Sequence, residues 1–478
     1  MMPVPLSRIA QWTGGRLPAA GADVLIDAVE TDTRTLDARD GRAALFIALH
    51  GENFDGHDHV AAAAAQGARA ALVSRLVDAP LPQVLVADTQ RALGALAAAM
   101  QRARKGRVVG ITGSNGKTSV KQLSLAIASR AMRAHANPGN RNNEIGLPLS
   151  VIETPDDVDV AIYEMGAGKH NDIAYLTAIA RPHVALVNNI APAHLERMQS
   201  LLGIADTKAA IYDALPHDGV AVINADDAFA PYFAQRAHGR RLLRFGLEAS
   251  ADVGARDIVL DDEGSRFVLV TPVGSAQVRL PLPGRHNIAN ALAAACIALA
   301  LEVPLATIAA ALADAEPVKG RLVRHRLANG AVLIDDSYNA NPGSLNAAID
   351  TLAAAAGEGW LVLGDMRELG EDAEALHAEA GRRARRAGVS RLYAIGALSA
   401  HAVEAFGDCA RHFADHRALV DALRADLHAG VRVLVKGSRG SAMDRIVDAL
   451  LPEEGGEKSM SVENGGRDPR PRKDSHAA

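Results

Sequence analysis

Residues 110–119, with the sequence GITGSNGKTS, form a glycine-rich segment between a short apolar strand at 107–109 and a helix-patterned run. The run is typical of a helix because Val120, Leu123 and Ile127 recur at helical spacing and supply a buried face. Glycines let backbone N–H groups turn towards phosphate oxygens, and the start of the helix adds its positive dipole end. The order strand, glycine-rich turn, helix therefore predicts a phosphate cradle.

Lys117 and Thr118 complete this cradle, since a lysine neutralises phosphate charge and a hydroxyl at the helix start can hold Mg²⁺. The common motif G-x-x-x-x-G-K-[ST] fails here, because Ile111 stands where its first glycine would be. The variant loop TGSNGKT stands instead. A glycine-rich turn before an ordinary helix is the alternative interpretation. The predicted nucleotide-phosphate residues are Gly113, Ser114, Asn115, Gly116, Lys117, Thr118 and Ser119.

Composition excludes several classes of protein. A chain of 478 residues that is 49% hydrophobic and 22% charged is typical of a soluble globular protein of about three domains. The net charge of −5 gives no reason to expect nucleic acid. Cys296 and Cys409 cannot form a disulfide framework, and each is expected to pack as a small apolar residue. No segment is typical of a signal peptide or a membrane span, so a cytoplasmic protein without membrane insertion is predicted.

The pattern of apolar runs and helical stretches predicts an α/β fold in three domains. The first, 1–103, is a small α/β domain, and a basic polar link ends it. The second, 104–320, builds a parallel mononucleotide-binding sheet around the P-loop. The third, 321–453, has the regular strand–helix alternation of a Rossmann-like doubly wound sheet. Residues 454–478 are rich in Glu, Gly, Lys, Ser, Arg and Pro, and a disordered tail is expected.

Polar loops around the predicted central sheet are candidates for substrate contact. Residues 137–148 are too dense in amides, glycines and prolines for a helix or strand, and they include Asn142, Asn143 and Glu144. Amides of this density favour substrate contact, because unpaired amides inside a protein are costly. The alternative is a capping turn between two elements.

Glu164 ends an apolar strand, at the sheet edge where ligands bind in open α/β folds. A carboxylate beside a phosphate cradle is a natural Mg²⁺ ligand, although a glutamate after a strand is usually solvated. Lys208 lies between apolar residues of a predicted helix, where a lysine commonly extends its ammonium to solvent. His194 would more often be structural than a ligand.

Further polar residues follow a Pro-Gly turn and the strands of the third domain. Asn287 and Asn290 lie one helical turn apart and could contact an adenine edge or cap the helix. Asp336, Asn341 and Lys436 follow predicted strands, so the parallel geometry brings them to one sheet edge.

In combination these segments closely resemble the Mur ligases, over residues from about 29 to 450. Each segment alone is a weak signal, and together they are specific. The segments are Thr33-Arg34, Asp55-Gly56-His57, TGSNGKT (112–118), GNRNNEIGLPL (139–149), Tyr163-Glu164-Met165-Gly166, Ala193-His194-Leu195 with Lys208, PGRHNIANA (283–291), Lys319-Gly320-Arg321, DDSYNANP (335–342), LGDMRELG (363–370) and KGSRG (436–440).

The resemblance implies an ATP-dependent amide ligase. In this family a carboxylate attacks the ATP γ-phosphate to give an acyl phosphate and ADP, and an amine then displaces phosphate. By carry-over, Lys117 binds the β- and γ-phosphates, Thr118 and Glu164 hold one Mg²⁺, and Arg321 binds the transferring γ-phosphate. The matching family lysine is carbamylated by CO₂ and holds a second Mg²⁺, which gives this role to Lys208 and places His194 beside that metal.

The same carry-over assigns the remaining candidates. Asn287 and Asn290 face adenine, and Asp336 faces ribose. Arg34 and the loop residues Asn142, Asn143 and Glu144 lie towards a UDP-sugar peptide. Asn341 and Lys436 lie towards the reacting ends.

Two features favour the branch that joins D-alanyl-D-alanine to UDP-N-acetylmuramoyl-tripeptide: the pair Asn142-Asn143 with Glu144, and DDSYNANP. The branch that adds diaminopimelate or lysine usually carries Tyr-Ala-His-Thr-Pro where residues 337–342 lie, and an Asp-Asn-Pro-Arg motif that this sequence lacks. That branch remains an alternative, as does a P-loop NTPase module without ligase activity. A monomer is expected.

Overall fold

The computed structural model of this chain describes residues 1–17, 23–37, 41–51, 54–192, 195–198, 200–261, 263–355 and 357–451. His194 and the predicted tail at 454–478 lie outside the described residues.

The N-terminal part contains a four-stranded parallel sheet in the order β3-β4-β5-β6, with a short antiparallel β1-β2 pair beside it. Buried aliphatic side chains fill both faces of the parallel sheet. Its elements are β1 (Val4–Pro5), α1 (Leu6–Thr13), β2 (Leu25–Ile26), β3 (Ala28–Glu30), β4 (Ala44–Ile47), α2 (Val60–Ala65), β5 (Ala70–Val73), β6 (Gln83–Leu85) and α3 (Thr89–Ala103).

A fully parallel six-stranded sheet in the order β12-β11-β10-β7-β9-β8 forms the centre of the molecule. The strand order reverses beside β7, which makes its carboxyl end the expected ligand crevice. The elements are β7 (Arg107–Thr112), α4 (Lys117–Ala128), β8 (Ala134–Ala136), α5 (Gly146–Glu153), β9 (Val160–Glu164), α6 (Asp172–Ala180), β10 (Val184–Val187), α7 (Leu195–Met198), α8 (Leu201–Asp213), β11 (Val220–Asn224), α9 (Ala230–Arg236) and β12 (Arg241–Phe245).

A three-stranded antiparallel sheet follows β12, and two helices follow this sheet. The first helix packs with α4 on one face of the central sheet, while α3 packs on the opposite side. These elements are β13 (Gly254–Asp261), β14 (Gly264–Thr271), β15 (Gly274–Leu280), α10 (Arg285–Ala300) and α11 (Leu305–Ala313).

The C-terminal part is a six-stranded sheet in the order β16-β17-β21-β18-β19-β20, with β16 antiparallel at one edge. Apolar clusters cover both faces, as a doubly wound sheet requires. Its elements are β16 (Val323–Arg326), β17 (Val332–Asp336), α12 (Pro342–Ala354), β18 (Glu358–Gly364), α13 (Ala373–Arg386), β19 (Arg391–Ile395), α14 (Ser399–Phe406), β20 (Ala410–Phe413), α15 (His416–Asp426), β21 (Val431–Lys436) and α16 (Asp444–Leu450).

The predicted α/β class, with its parallel central sheet and Rossmann-like C-terminal sheet, is confirmed. The expectation for the cysteines is half wrong: both thiols are free, Cys296 is buried, and Cys409 is exposed. Across the part of the chain that the structure describes, no helix has the length and apolar character needed to cross a membrane.

Candidate functional site

One cavity of about 960 Å³ opens between the central sheet and the C-terminal sheet. It is lined by the P-loop, the loop after β8, the start of α10 and the carboxyl ends of C-terminal strands. Almost all of the sequence-predicted site residues line this cavity, although they come from distant parts of the chain. They are Gly113, Ser114, Asn115, Gly116, Lys117, Thr118, Ser119, Asn142, Asn143, Glu144, Glu164, Lys208, Asn287, Asn290, Arg321, Asp336, Asn341 and Lys436.

The P-loop connects β7 to α4, and two of its glycines have positive φ angles: 147° at Gly113 and 77° at Gly116. A Cβ at position 116 would lie 2.4 Å from Asn290 Oδ1 and 2.5 Å from Asn188 Nδ2. Both the backbone angle and this close approach require glycine at position 116. The loop is therefore held in a fixed shape against side chains from β10 and α10.

Asn188 and Asn189 hold the loop from behind, and the sequence analysis assigned them no role. The backbone N–H of Asn115 donates to Asn189 Oδ1 at 2.8 Å. Asn188 Nδ2 donates to the Asn115 carbonyl at 3.0 Å and to Asn290 Oδ1 at 3.1 Å. The sequence does contain one indication of such a role, because both asparagines directly follow an apolar strand.

Lys117 folds back over the loop, where its ammonium donates to the Gly113 carbonyl at 2.8 Å and to the Ser114 carbonyl at 3.3 Å. Burial lowers the pKa of Lys117, and the positive charge of Arg321 lowers it further, while Glu164 opposes the shift. An anion placed on the loop would relieve this cost. The geometry therefore suits a phosphate.

Thr118 and Glu164 are joined by a hydrogen bond, in which the Thr118 hydroxyl donates to Glu164 Oε2 at 2.8 Å. Asn142 Nδ2 donates to the other carboxylate oxygen, Oε1, at 2.8 Å. From the C-terminal side, Arg321 donates to Thr118 Oγ1 at 3.0 Å. One connected set of side chains thus links the P-loop, β9, the amide-rich loop that follows β8 (within residues 137–148) and the segment before β16.

Lys121 is a further member of this set that the sequence analysis missed. Its side chain is fully buried, and its ammonium lies 3.5 Å from Glu164 Oε2. It also donates to the carbonyls of Asn137 at 2.8 Å and Gly139 at 2.9 Å. Lys121 therefore fixes the amide-rich loop to the P-loop helix.

Burial would raise the pKa of Glu164, but the charges of Lys117 and Lys121, together with hydrogen bonds from Thr118 and Asn142, lower it below its usual value and favour the ionised carboxylate. An ionised carboxylate beside a hydroxyl at a phosphate cradle is a donor set that fits Mg²⁺. Within the described ranges, no group of three or more His, Cys, Asp or Glu could hold a metal by itself. A Mg²⁺ here would need phosphate oxygens to complete its coordination.

Lys208, on α8, is 2% exposed, so the alternative of a lysine extending to solvent is wrong. Among the described residues no hydrogen bond or ion pair engages its ammonium, although Lys208 lines the cavity. Burial, helped by the positive charge of Lys117, lowers the pKa of Lys208 to about 7. A substantial fraction of this side chain is therefore a neutral amine near neutral pH.

The two asparagines on α10 are buried on one face, as their spacing predicts. Asn287 Nδ2 donates to the Pro283 carbonyl at 2.8 Å, and Asn290 Nδ2 donates to Asn287 Oδ1 at 3.3 Å. Both line the cavity beside the P-loop.

The C-terminal wall of the cavity contains a buried ion pair between Lys436 and Asp336. Lys436 Nζ lies 2.6 Å from Asp336 Oδ2 and also donates to the Asn339 carbonyl at 3.0 Å. Burial raises the pKa of Asp336, and Lys436 opposes this shift. The pair brings the ends of β17 and β21 together.

Asn341 connects the C-terminal wall to the P-loop. Its side chain caps α12 by accepting from the Ser344 N–H at 2.9 Å, and its Nδ2 donates to Asn115 Oδ1 at 2.7 Å. Nearby, the guanidinium carbons of Arg321 and Arg439 lie 4.4 and 5.5 Å from the centroid of the Tyr338 ring.

Arg34 is the one described candidate that does not line the cavity. It lies in the N-terminal part, its side chain is 88% exposed, and it pairs with Asp32 at 2.5 Å. Hydrogen bonds from the Arg34 side chain and N–H lower the pKa of Asp32 to about 2. His194 lies outside the described residues.

The fold and the cavity define a P-loop nucleotide-binding protein whose phosphate cradle faces a second α/β unit. Two family profiles match the chain: "Mur ligase middle domain" over residues 111–298, and "Mur ligase, glutamate ligase domain" over residues 320–439. The chain belongs to the Mur ligase family.

Similar proteins of known name span almost the same length. The UDP-N-acetylmuramoyl-tripeptide–D-alanyl-D-alanine ligase of Escherichia coli K12 is 44% identical over 94% of this chain and 99% of its own. The ligase of the same name from Mycobacterium tuberculosis H37Rv is 36% identical over 95% and 99%.

The chain is also similar in structure to solved proteins of the same family. MurF from Acinetobacter baumannii superposes with a TM-score of 0.89 at 33% identity, over 94% of this chain and 99% of that one. MurF ligase from Thermotoga maritima in complex with ADP gives a TM-score of 0.79 at 26% identity, over 88% and 96%.

Proposed function

We propose that this chain is an ATP-dependent, ADP-forming ligase that joins D-alanyl-D-alanine to UDP-N-acetylmuramoyl-tripeptide in peptidoglycan precursor synthesis. The observation that carries the proposal is the cavity of about 960 Å³, which is lined by both the P-loop and the polar strand ends of the C-terminal sheet. An enzyme that moves an activated acyl group from a nucleotide to an amine needs both reactants in one place. The named relatives support the choice of substrates.

The reaction has two steps. A carboxylate oxygen of the peptide attacks the γ-phosphorus of ATP, and the bond between that phosphorus and the β–γ bridging oxygen breaks to release ADP. The dipeptide amine then attacks the acyl carbon, loses a proton, and expels inorganic phosphate as the acyl–oxygen bond breaks. Catalysis of both steps depends mainly on neutralising charge and on aligning the reacting groups.

Residues on the P-loop side neutralise and orient the phosphates. The Lys117 ammonium exchanges its backbone carbonyl partners for the β- and γ-phosphate oxygens. Arg321, which already contacts Thr118, binds the γ-phosphate during its transfer. Asn287 and Asn290 face the adenine, and Asp336 faces the ribose.

Thr118 and Glu164 would hold Mg²⁺, as their oxygen donor set supports. When bound, this ion would neutralise the charge of the β- and γ-phosphates. The Lys121 ammonium, 3.5 Å from Glu164 Oε2, helps to keep this carboxylate in place.

Lys208 is the proposed site of carbamylation, and His194 is placed beside it by family resemblance. A neutral amine is what reacts with CO₂: the Nζ–C bond forms and one proton leaves, which converts the neutral amine into an anionic carbamate that would serve as a metal ligand. The lowered pKa and the lack of a partner among the described residues support this role.

Labelled ¹³CO₂ should give a carbamate signal by NMR in the wild type and none in Lys208→Arg. The arginine variant should also be inactive although its positive charge is kept. A small carboxylate such as acetate should partly restore Lys208→Ala. Full activity in Lys208→Arg would show that the lysine is an ordinary cation.

On the substrate side, Arg34 and the loop residues Asn142, Asn143 and Glu144 are proposed to contact the UDP-sugar peptide. Asn341 and Lys436 lie towards the reacting ends. Lys436 acts through its pair with Asp336, which shapes the wall, because its ammonium is already engaged.

We further infer three domains, 1–103, 104–320 and 321–453. The division is supported by the end of α3 at Ala103 and by the connection between α11 and β16. A monomer is proposed because one chain supplies both walls of the cavity. The cytoplasm is the proposed location, since the reaction consumes ATP.

The test is the mass of the product formed from ATP and each combination of two nucleotide peptides with two amines. UDP-muramoyl tripeptide with D-alanyl-D-alanine should give product, whereas diaminopimelate or lysine should be a poor acceptor. Product formed only from UDP-muramoyl dipeptide and a diamino acid would identify this chain as the ligase of the preceding step. ATP turnover that needs neither substrate would indicate an NTPase module.

A further inference from the structure

The Tyr338 ring contacts two guanidinium groups, and both arginines line the cavity. Arg321 lies 4.4 Å from the ring centroid and donates to Thr118 at 3.0 Å, which places it at the phosphate end. Arg439 lies 5.5 Å from the same centroid and extends from the segment after β21. Cation–π contacts of this kind hold an arginine without consuming its hydrogen-bond donors.

Arg439 has no acidic or hydrogen-bonding side-chain partner among the residues that the structure describes. Lys436, three positions earlier, differs: it is 2% exposed, and its ammonium is bound to Asp336 and to the Asn339 carbonyl. Moving Lys436 to a new anion would leave a buried carboxylate unpaired, which is strongly unfavourable. Of these two cations, Arg439 is the one available to an incoming anion.

We propose that Arg439 binds the terminal carboxylate of the amine substrate, and that Tyr338 positions its guanidinium for this contact. The inference rests on the proposed ligase function. A guanidinium and a carboxylate form two parallel hydrogen bonds, which fixes the orientation of the substrate as well as its charge.

Distances support this assignment. The guanidinium carbons of Arg321 and Arg439 cannot be further apart than the sum of 4.4 and 5.5 Å, because both are measured from the same centroid. An extended dipeptide spans roughly 7 Å from amine to carboxylate, at about 3.3–3.6 Å per residue. With the amine at the acyl phosphate beside Arg321, the carboxylate of a dipeptide reaches the region of Arg439.

The chain offers a matched comparison in Arg367, a second arginine that lines the cavity without a side-chain partner among the described residues. Its guanidinium packs against the backbone of Gly440, where an added Cβ would lie 2.6 Å from Arg367 Nη1. Among the described residues, its guanidinium is not stacked on the Tyr338 ring and donates no hydrogen bond to the P-loop. A variant of Arg367 therefore tests whether any arginine that lines the cavity can bind the substrate carboxylate.

The experiment combines a variant with a modified substrate. The wild type and Arg439→Gln are each assayed with D-alanyl-D-alanine and with its C-terminal amide, which lacks the negative charge. In the wild type, KM for the amide should be about 10- to 100-fold higher than for the dipeptide. In Arg439→Gln this ratio should fall close to one, while KM for ATP is unchanged.

Further variants separate positioning from general structure. Tyr338→Phe keeps the ring and should keep the selectivity for the carboxylate, whereas Tyr338→Leu should lose it. Arg367→Gln should leave the ratio as in the wild type.

Two results would overturn the inference: an equal loss for the dipeptide and its amide in Arg439→Gln, or a loss of selectivity in Arg367→Gln instead. Failure of the proposed function is distinguishable, because the wild type would then form no product with D-alanyl-D-alanine at all.

Discussion

The two walls of the cavity are built differently. On the central wall, Thr118 and Asn142 both donate to the Glu164 carboxylate, and the Lys121 ammonium lies 3.5 Å from it. The C-terminal wall reaches the central wall through specific side-chain bonds such as Arg321 to Thr118, and it presents arginines without acidic partners among the described residues.

The difference indicates that the two walls have different roles in the reaction. A wall whose side chains already satisfy one another holds its geometry before any ligand binds, which is what charge neutralisation in phosphoryl transfer requires. A wall with unpaired cations depends on its ligand to complete it. Changes on the central wall should therefore affect the chemical step and stability. Apart from Arg321 and Asp336, which are proposed to contact the nucleotide, changes on the C-terminal wall should affect use of the amine.

The largest effect is expected for Lys117→Ala. Removing the ammonium leaves the γ-phosphate charge without its nearest counter-charge, so kcat should fall about 10³-fold. Steady-state ADP release measures this. The exposed Lys105, outside the cavity, is the matched control, and Lys105→Ala should be unchanged. A fall of less than tenfold in Lys117→Ala would remove the P-loop from the chemical step.

Lys208 is the exception on the central wall, because it is buried without a bonded partner among the described residues. Its pKa is lowered from 10.5 to about 7, so between these pH values the unfolded chain binds a proton that the folded chain does not. The resulting loss of stability develops as pH falls from 10.5 and is complete below about 7.

In buffer free of CO₂, Lys208→Met should therefore be more stable than the wild type by a few kcal/mol at pH 7. This advantage should shrink as pH rises towards 10. Lys208→Arg keeps the charge at every pH and should be less stable than the wild type. Urea unfolding at several pH values measures the free energy of unfolding of all three proteins. A stability difference between Lys208→Met and the wild type that does not change with pH would contradict the account.

Lys121→Met tests the bonded set on the central wall. The buried Glu164 would lose a counter-charge and the amide-rich loop two anchors, so the free energy of unfolding should fall by about 3 kcal/mol. Adding Glu164→Gln should recover part of this loss, since the carboxylate that lost its counter-charge is then replaced by a neutral amide. Gln122→Met, on the exposed side of the same helix, is the control.

The smallest effect concerns Asn341, on the C-terminal wall. Asn341→Asp keeps an oxygen that caps α12 but loses the donor to Asn115 Oδ1, so stability should change little while kcat/KM for the dipeptide falls about tenfold. Asn341→Ala loses the cap as well and should cost about 1 kcal/mol more in stability. Equal stability losses in both variants would assign Asn341 a purely structural role.

Local patterns predicted the parts of this molecule that depend on local geometry. The apolar spacing in 120–127 predicted α4, and the glycine positions predicted the cradle. The strands predicted before Glu164 and Lys436 are present, so both residues lie at the predicted sheet edges. A parallel sheet aligns its strand ends, and for that reason the cavity could be assembled from separate segments.

Other features could not be predicted because they depend on which segments meet. A lysine at position 121 is typical of an exposed helix face, and nothing local indicates that the loop at 137–139 covers it. Lys436 pairs with a residue 100 positions away, and that pairing follows from β17 and β21 being neighbours. Arg34 lies outside the cavity, so its proposed contact with the UDP-sugar peptide remains a prediction.

The most direct test of the central claim is the fate of oxygen-18 placed in both oxygens of the peptide carboxylate. An acyl phosphate transfers one of these oxygens to phosphorus, so the account predicts one labelled oxygen in the released phosphate and one in the amide carbonyl of the product. Product formation with unlabelled phosphate would contradict the acyl-phosphate route and, with it, the role assigned to the cavity.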